Sequence, residues 1–416
     1  MVDGAAPSPL PTPRPLCAPP TGRLLTLDAM RGIAVMAILL ANLPGFALPD
    51  PAYSNPLAWG GAHGGDLVAW FLTEIFVNGR MRGLFSMLFG ASTLLILTRA
   101  DAAGRNGAAL HLRRMAVLFL FGMAHMTFIW TGDILAHYAL VGVIALAFVG
   151  LGVRPLVFTA VAMAGVSMAM GGLECLGLFE AAARDTPQRL TLWSLYQDAF
   201  GTPGAARLMP EVAAMRGPWA ASTAFRIANS GSPLLNLIQI GPDTLSAMLL
   251  GMAALKSGFL TGQWSPGRYR RWAAWGLGLS IPAYAMTATA IWWSGFDVRM
   301  VVLSELLLDI PFRLIGTMGY AALILLVLRP GTGWTARIAA AGRMAFTNYL
   351  GTSVLMTLIF YGHGLGQFAR WDRARLYVLV IPVWGLMLLW SKPWLDRFGQ
   401  GPLERLWRLA ADGNRP

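Results

Sequence analysis

The stretch "GMAHMTFIWTGDILAHYALVG" (residues 122–142) decides how this chain folds. Two apolar runs flank "WTGD", whose Gly132 and Asp133 allow the backbone to turn sharply. The runs suit lipid, so the stretch reads as a corner between two membrane helices. It also carries His125, Asp133 and His137. Ionisable groups at membrane depth are costly, so each needs a packing or chemical reason.

The surrounding chain has the same character. Of its 416 residues 56% are hydrophobic and 12% charged, where a soluble chain carries about 25% charged residues. The fold class is all-α, a polytopic membrane helical bundle, which excludes a soluble domain on a single anchor. The formal net charge is +12, almost all from Arg, since Lys256 and Lys392 are the only lysines. That charge lies mostly in short loops and reads as orientation signal and contact with anionic membrane lipids, not as nucleic-acid binding. Cys17 and Cys175 give no zinc, iron–sulfur or disulfide framework, and no metal is expected.

About ten apolar runs approach the roughly 20 residues that a bilayer requires. They are residues 27–48, 81–98, 115–130, 133–153, 155–176, 233–256, 272–294, 301–328, 344–361 and 376–390. The Pro- and Ala-rich residues 1–22 read as disordered, and no cleavable signal peptide is expected. Two five-helix membrane halves follow, residues 23–176 and 232–398, with a cytoplasmic tail at 399–416. Between the halves, residues 177–231 read as an extracytoplasmic loop with amphipathic helices. "GDLVAWFLTEIFVNGR" before the second span is too polar to cross alone and reads as interfacial or re-entrant. With ten spans, nearly every Arg cluster falls on one side, placing both termini in the cytoplasm; "RWDRAR" (370–375) is the exception.

Several spans carry polar groups at helical spacing. In the first, Asp28 and Arg31 share a face and can pair, Gly32 allows close helix approach, and Asn42 lies about 16 Å further along. Arg82 at the mouth of the second span either neutralises a bound anion or snorkels to headgroups. Arg113 and Arg114 open the third span as topology charges or as ligands for coenzyme phosphates. Asp133 either orients a His or caps the fourth helix. His125 is either a hydrogen-bonded packed residue or a general base, and His137 shares the face of Asp133. Glu305, Asp309 and Arg313, spaced by four, line one face of the eighth span. Their excess of acid implies a water-filled cavity, a cation or proton path, or an Arg partner such as Arg82 or Arg31. Pro311 is expected to kink that helix. Asn348 in the ninth span reads either as packing polarity or as a substrate-cavity residue.

Together, "RLLTLDAMRGIAVMAILLANLPGF", "GLFSMLFGAS", "RRMAVLFLFGMAHMTFIWTGDILAHYALVG" and "GRMAFTNYL" resemble the YeiB-like family of bacterial inner-membrane proteins. The C-terminal half of that family is a domain of unknown function. The family is similar to the multi-spanning acyltransferases, among them heparan-α-glucosaminide N-acetyltransferase and the bacterial polysaccharide O-acyltransferases. Those enzymes move an acyl group from cytosolic acyl-coenzyme A to an acceptor at or across the membrane. The polysaccharide enzymes carry an Arg and a His separated by ten residues in the first span. Here the matching positions are Arg31 and Asn42. Asn42 cannot take a proton, so the base must lie elsewhere.

The resemblance and the polar faces together imply an acyltransferase using acyl-CoA as co-substrate. Arg31, Arg82, Arg113 and Arg114 are the candidates to meet the coenzyme. His125 is the expected base with Asp133 as its orienting partner, Asn42 the oxyanion donor, and His63 in "WGGAHGGD" a second candidate base. The partner is a small-molecule, glycan or lipid acceptor; the oligomeric state stays open, a dimer included. The rival expectation is a transporter or flippase for a small anionic or amphipathic substrate, in which Glu305, Asp309 and Arg313 carry the function.

Overall fold

The computed structural model describes residues 25–183, 186–329 and 331–412. The expected disorder of residues 1–22 lies outside them. Every regular element among the described residues is helical. Seven helical stretches are long and apolar enough to cross a membrane: 25–47, 64–102, 107–128, 153–183, 233–256, 298–327 and 373–398. The other three expected spans fall on two shorter apolar helices and on Pro266–Trp293.

The first half begins with α1 (Leu25–Ala47), followed by α2 (Gly64–Phe76) and α3 (Arg80–Ala102). The polar segment ahead of the second span is α2, which turns into α3 at Gly79, where φ is +70°. Only glycine adopts that angle without strain, and a Cβ there would also meet Arg313 Nε at 2.7 Å. The corner of residues 122–142 is α4 (Gly107–Phe128), a six-residue turn, and α5 (Leu135–Ala145). Trp130 pins the turn to α1 by donating its indole N–H to the Gly45 carbonyl at 3.0 Å.

α6 (Val153–Ala183) has 31 residues. At 1.5 Å per residue it is about 46 Å long, more than a hydrocarbon core of about 30 Å. It therefore passes its expected end near Leu176 and carries the chain into α7 (Pro187–Phe200), α8 (Ala205–Arg216) and α9 (Trp219–Asn229). Among its described residues the segment 177–231 is thus mostly helical.

The second half holds α10 (Pro233–Lys256), α11 (Pro266–Trp293), α12 (Val298–Leu303) and α13 (Asp309–Val327). Residues Ser304–Leu308 between the last two form a π turn. Pro311 cannot donate a backbone N–H to the carbonyl one turn back, and the wider turn accommodates that defect. Then come α14 (Gly333–Arg343), α15 (Ala345–Phe360), the one-turn α16 (Arg373–Leu376), α17 (Val380–Phe398) and α18 (Pro402–Asp412).

Lipid tails are as apolar as Leu, so membrane helices associate by close packing of small residues. α3 and α10 show this: a Cβ on Gly90 would lie 2.0 Å from the Met248 carbonyl oxygen, and one on Gly251 would lie 1.8 Å from that of Met87. The expected close approach at Gly32 is likewise backbone against backbone, on Ile338 of α14.

"RWDRAR", the exception to the charge rule, has a structural explanation for one of its three arginines; Arg370 and Arg375 are exposed. Arg373 is fully buried, its guanidinium donates to the Ala52 carbonyl, and its own N–H donates to Gly60 at 2.8 Å. It ties two loops together and is not a topology charge.

Candidate functional site

The corner supplies the first component. His125 ends α4, and Asp133 precedes α5 by two residues. His125 Nδ1 lies 2.9 Å from Asp133 Oδ1, while Asp133 Oδ2 accepts the Ala136 backbone N–H at 2.8 Å. Both expected roles of Asp133, helix cap and imidazole partner, are thus filled at once. A carboxylate on Nδ1 favours the tautomer with its proton there, which leaves Nε2 as a bare acceptor. Nε2 is buried with no partner among the described residues. The ring is 1% exposed and packs against Trp130 and Tyr349, at centroid distances of 6.3 and 5.5 Å.

Trp130 and Tyr349 also face the second component, a cavity of about 910 Å³ among α1, α2, α3, α6, α7, α10 and the α12–α13 helix. Asn42 lines it, as do Glu305, Asp309 and Arg313. A cavity, one of the alternatives that the acids of the eighth span implied, is therefore present, and of the two candidate Arg partners Arg82 lies on its wall while Arg31 does not. Arg82 and Arg313 both donate to Oδ2 of Asp243, at 2.9 and 2.7 Å. Arg313 also reaches the Glu305 carbonyl at 3.2 Å. Arg31 pairs instead with Asp28 at 3.0 Å and donates to Ser92 at 2.8 Å.

Asp243 and Glu74, which also line this cavity, were missed by the sequence reading. The signal for Asp243 was a lone acid in an apolar helix directly after Pro242. Glu74 sat in the segment set aside as interfacial.

The remaining expected site residues lie elsewhere. The four arginines assigned to the coenzyme do not form one group. Arg82 is in the cavity, Arg31 is held between α1 and α3, Arg113 is exposed, and Arg114 stacks over Trp407 of α18 at 5.8 Å. His63 is exposed at the start of α2. His137 is buried and bonded to Thr244 at 2.9 Å. Asn348 donates to the Ala341 carbonyl and Ser391, and accepts from Trp390. That is the packing role, one of the two its sequence suggested.

α8 adds a pH-sensitive contact outside the spans. Glu211 is buried and accepts the Asp50 N–H at 3.1 and 3.2 Å. Burial, reinforced by the Asp50 charge, pushes its carboxyl up to about 9. The folded state then holds a proton that the unfolded chain releases near the ordinary carboxylate pKa of 4.5. This contribution to stability is full below that value and is lost as pH rises toward about 9. The thermal midpoint should fall between pH 5 and 9 in the natural chain, and more shallowly in Glu211→Gln. Parallel pH profiles would contradict the assignment.

Comparison with known proteins agrees with this architecture over nearly the whole chain. Residues 254–414 match the family described as Protein of unknown function (DUF418). The chain is 34% identical over 406 residues to "Uncharacterized protein YeiB" of Escherichia coli (strain K12), covering 93% of this chain and 95% of that protein. It is 30% identical over 401 residues to "Uncharacterized protein YxaH" of Bacillus subtilis (strain 168), covering 93% and 94%. No solved structure matches. Full-length similarity at this level shows that the chain belongs to the YeiB-like family.

Proposed function

We propose that this chain is an acyl-CoA-dependent membrane acyltransferase of the bacterial inner membrane, with both termini cytoplasmic. The observation that carries the proposal is the His125–Asp133 pair at 2.9 Å, with Nε2 bare behind a wall of the large cavity. An acceptor hydroxyl or amine occupies the cavity, and Nε2 reaches it once Tyr349 rotates aside. Nε2 takes the acceptor proton as the acceptor oxygen or nitrogen bonds to the thioester carbonyl carbon. Asp133 stabilises the resulting imidazolium. Asn42 donates its amide N–H to the carbonyl oxygen as negative charge develops there. Collapse breaks the C–S bond, and the proton on Nε2 passes to the departing thiolate. Arg113, exposed in the first turns of α4, supplies positive charge for the coenzyme phosphates.

The test is transfer of radiolabelled acetyl from acetyl-CoA by the full chain in nanodiscs, using membrane extract as the acceptor source. His125→Ala should lower the rate by about 10²- to 10⁴-fold with the thermal midpoint retained, and Asp133→Asn should lower it in the same direction. Unchanged transfer by a folded His125→Ala chain would falsify the assignment.

A second reading, solute translocation, draws on a different observation. The acids of the eighth span and the Arg82–Asp243–Arg313 group line the cavity directly, whereas His125 lies behind its wall. On that reading, proton-coupled uptake by proteoliposomes disappears in Asp309→Asn and persists in His125→Ala.

A further inference from the structure

The two charges of Arg82 and Arg313 are committed to a single oxygen of Asp243. Carboxyl groups on the described cavity wall outnumber guanidinium groups six to two: Asp50, Glu74, Glu174, Asp243, Glu305 and Asp309 against those arginines. Three of the acids, Glu74, Glu305 and Asp309, lie within electrostatic reach of one another. Two of them are held by a neutral donor, Glu74 by the Asn78 amide at 2.7 Å and Asp309 by the Thr287 hydroxyl at 3.1 Å. Neutral donors aim the oxygens without supplying a counter-charge. Arg80, a further cation beside Glu74, is buried and does not line the cavity. Its guanidinium lies over the Tyr284 ring at 3.7 Å and is bonded to the backbone carbonyls of Glu74 and Ile75.

An independent feature also points to a ligand. Asp243 is 5% exposed and lines the cavity, and its Oδ1 has no partner among the described residues. A buried acceptor without a donor is costly, and a ligand N–H is the group that relieves it.

We propose that the cavity binds an organic cation bearing a primary ammonium group, seated among Asp243, Glu305 and Asp309. An ammonium offers three N–H donors, one for each carboxyl, and its charge offsets the excess of acid. Tyr53, also on the wall, adds an aromatic ring of the kind that attracts cations. The apolar part of the ligand lies along Leu192, Leu195 and Leu306 on the α6–α7 side. The inference rests on the reading of this cavity as the substrate site and names the chemistry of that substrate.

Equilibrium binding without any acyl donor tests it separately from acyl transfer. The full chain in nanodiscs is titrated by calorimetry with n-hexylammonium, 1-hexanol and hexanoate, which differ only in the head group. Hexylammonium should bind at least about tenfold more tightly than hexanol, and hexanoate most weakly. Glu305→Gln and Asp309→Asn should each remove most of that preference while leaving hexanol binding in place. Equal affinity for hexylammonium and hexanol, or tighter binding of hexanoate, overturns the proposal even if neither variant folds. Failure of acetyl-CoA to bind or react would instead count against acyl transfer and leave the cation site standing.

Discussion

Asp243→Ala should be among the most damaging single substitutions in this protein. Two guanidinium groups converge on one oxygen of a side chain that is 6% exposed, and the Arg313 side chain is 11% exposed. Removing the acid leaves two cations facing each other in a low-dielectric interior. Breaking a buried pair by deleting one partner costs about 3–5 kcal/mol. The folded yield in mild detergent should collapse, and the thermal midpoint of the surviving protein should drop by many degrees. Asp243→Asn keeps an acceptor oxygen at the same place and should be milder. Adding Arg313→Leu to Asp243→Ala removes one of the stranded charges and should recover part of the loss. A thermal midpoint for Asp243→Ala equal to that of the natural chain would show that Arg82 and Arg313 have other adequate partners.

Gly251→Val should prevent folding by a different route. The first added carbon lies 1.8 Å from the Met87 carbonyl oxygen and 2.6 Å from its carbon. The obstacle is backbone, so no rotamer change relieves it, and α3 must move away from α10. Overpacking costs roughly 1–3 kcal/mol where side chains can give way, and occasionally more. Here the same displacement pulls Arg82 on α3 from Asp243 on α10, adding the electrostatic loss to the steric one. Gly278→Ala in α11 is the control, since a Cβ there meets nothing within 4 Å. That change should stay within about 1 kcal/mol of the natural chain. Monodisperse, thermally stable Gly251→Val protein would show that the α3–α10 contact is looser than the packing indicates.

The legible part of the candidate site was its local part. His125 and Asp133 are eight residues apart across one tight turn, so the corner that lets the chain reverse also brings them together. Asp28 and Arg31 are one helical turn apart and pair as their spacing required. Of the two readings of Asn348, packing polarity is the one its three bonds fill. Asp243 was not legible. Its partners stand 161 and 70 residues away, and no periodicity within α10 records what faces it. The acids of the eighth span implied a cavity or an Arg partner such as Arg82 or Arg31; they line a cavity that Arg82 shares, while Arg82 and Arg313 bond to Asp243. Excess charge on one helix states that compensation is needed without naming its source. The four arginines assigned to one coenzyme shared a residue type, and only packing separated them into different surroundings.

By itself, then, the sequence determined the all-helical membrane bundle, because hydrophobic length and the need to satisfy every backbone group in lipid are local constraints. It also determined the corner at Gly132 and Asp133 and the dyad that the corner creates. The tertiary structure alone decided which helices meet at glycine. It alone joined α3, α10 and α13 through one oxygen of Asp243, and it set six carboxyl groups around a cavity with two guanidinium groups. The physical reason is reach. A contact within a turn or two is fixed by backbone geometry, whereas convergence of distant side chains depends on how whole helices pack.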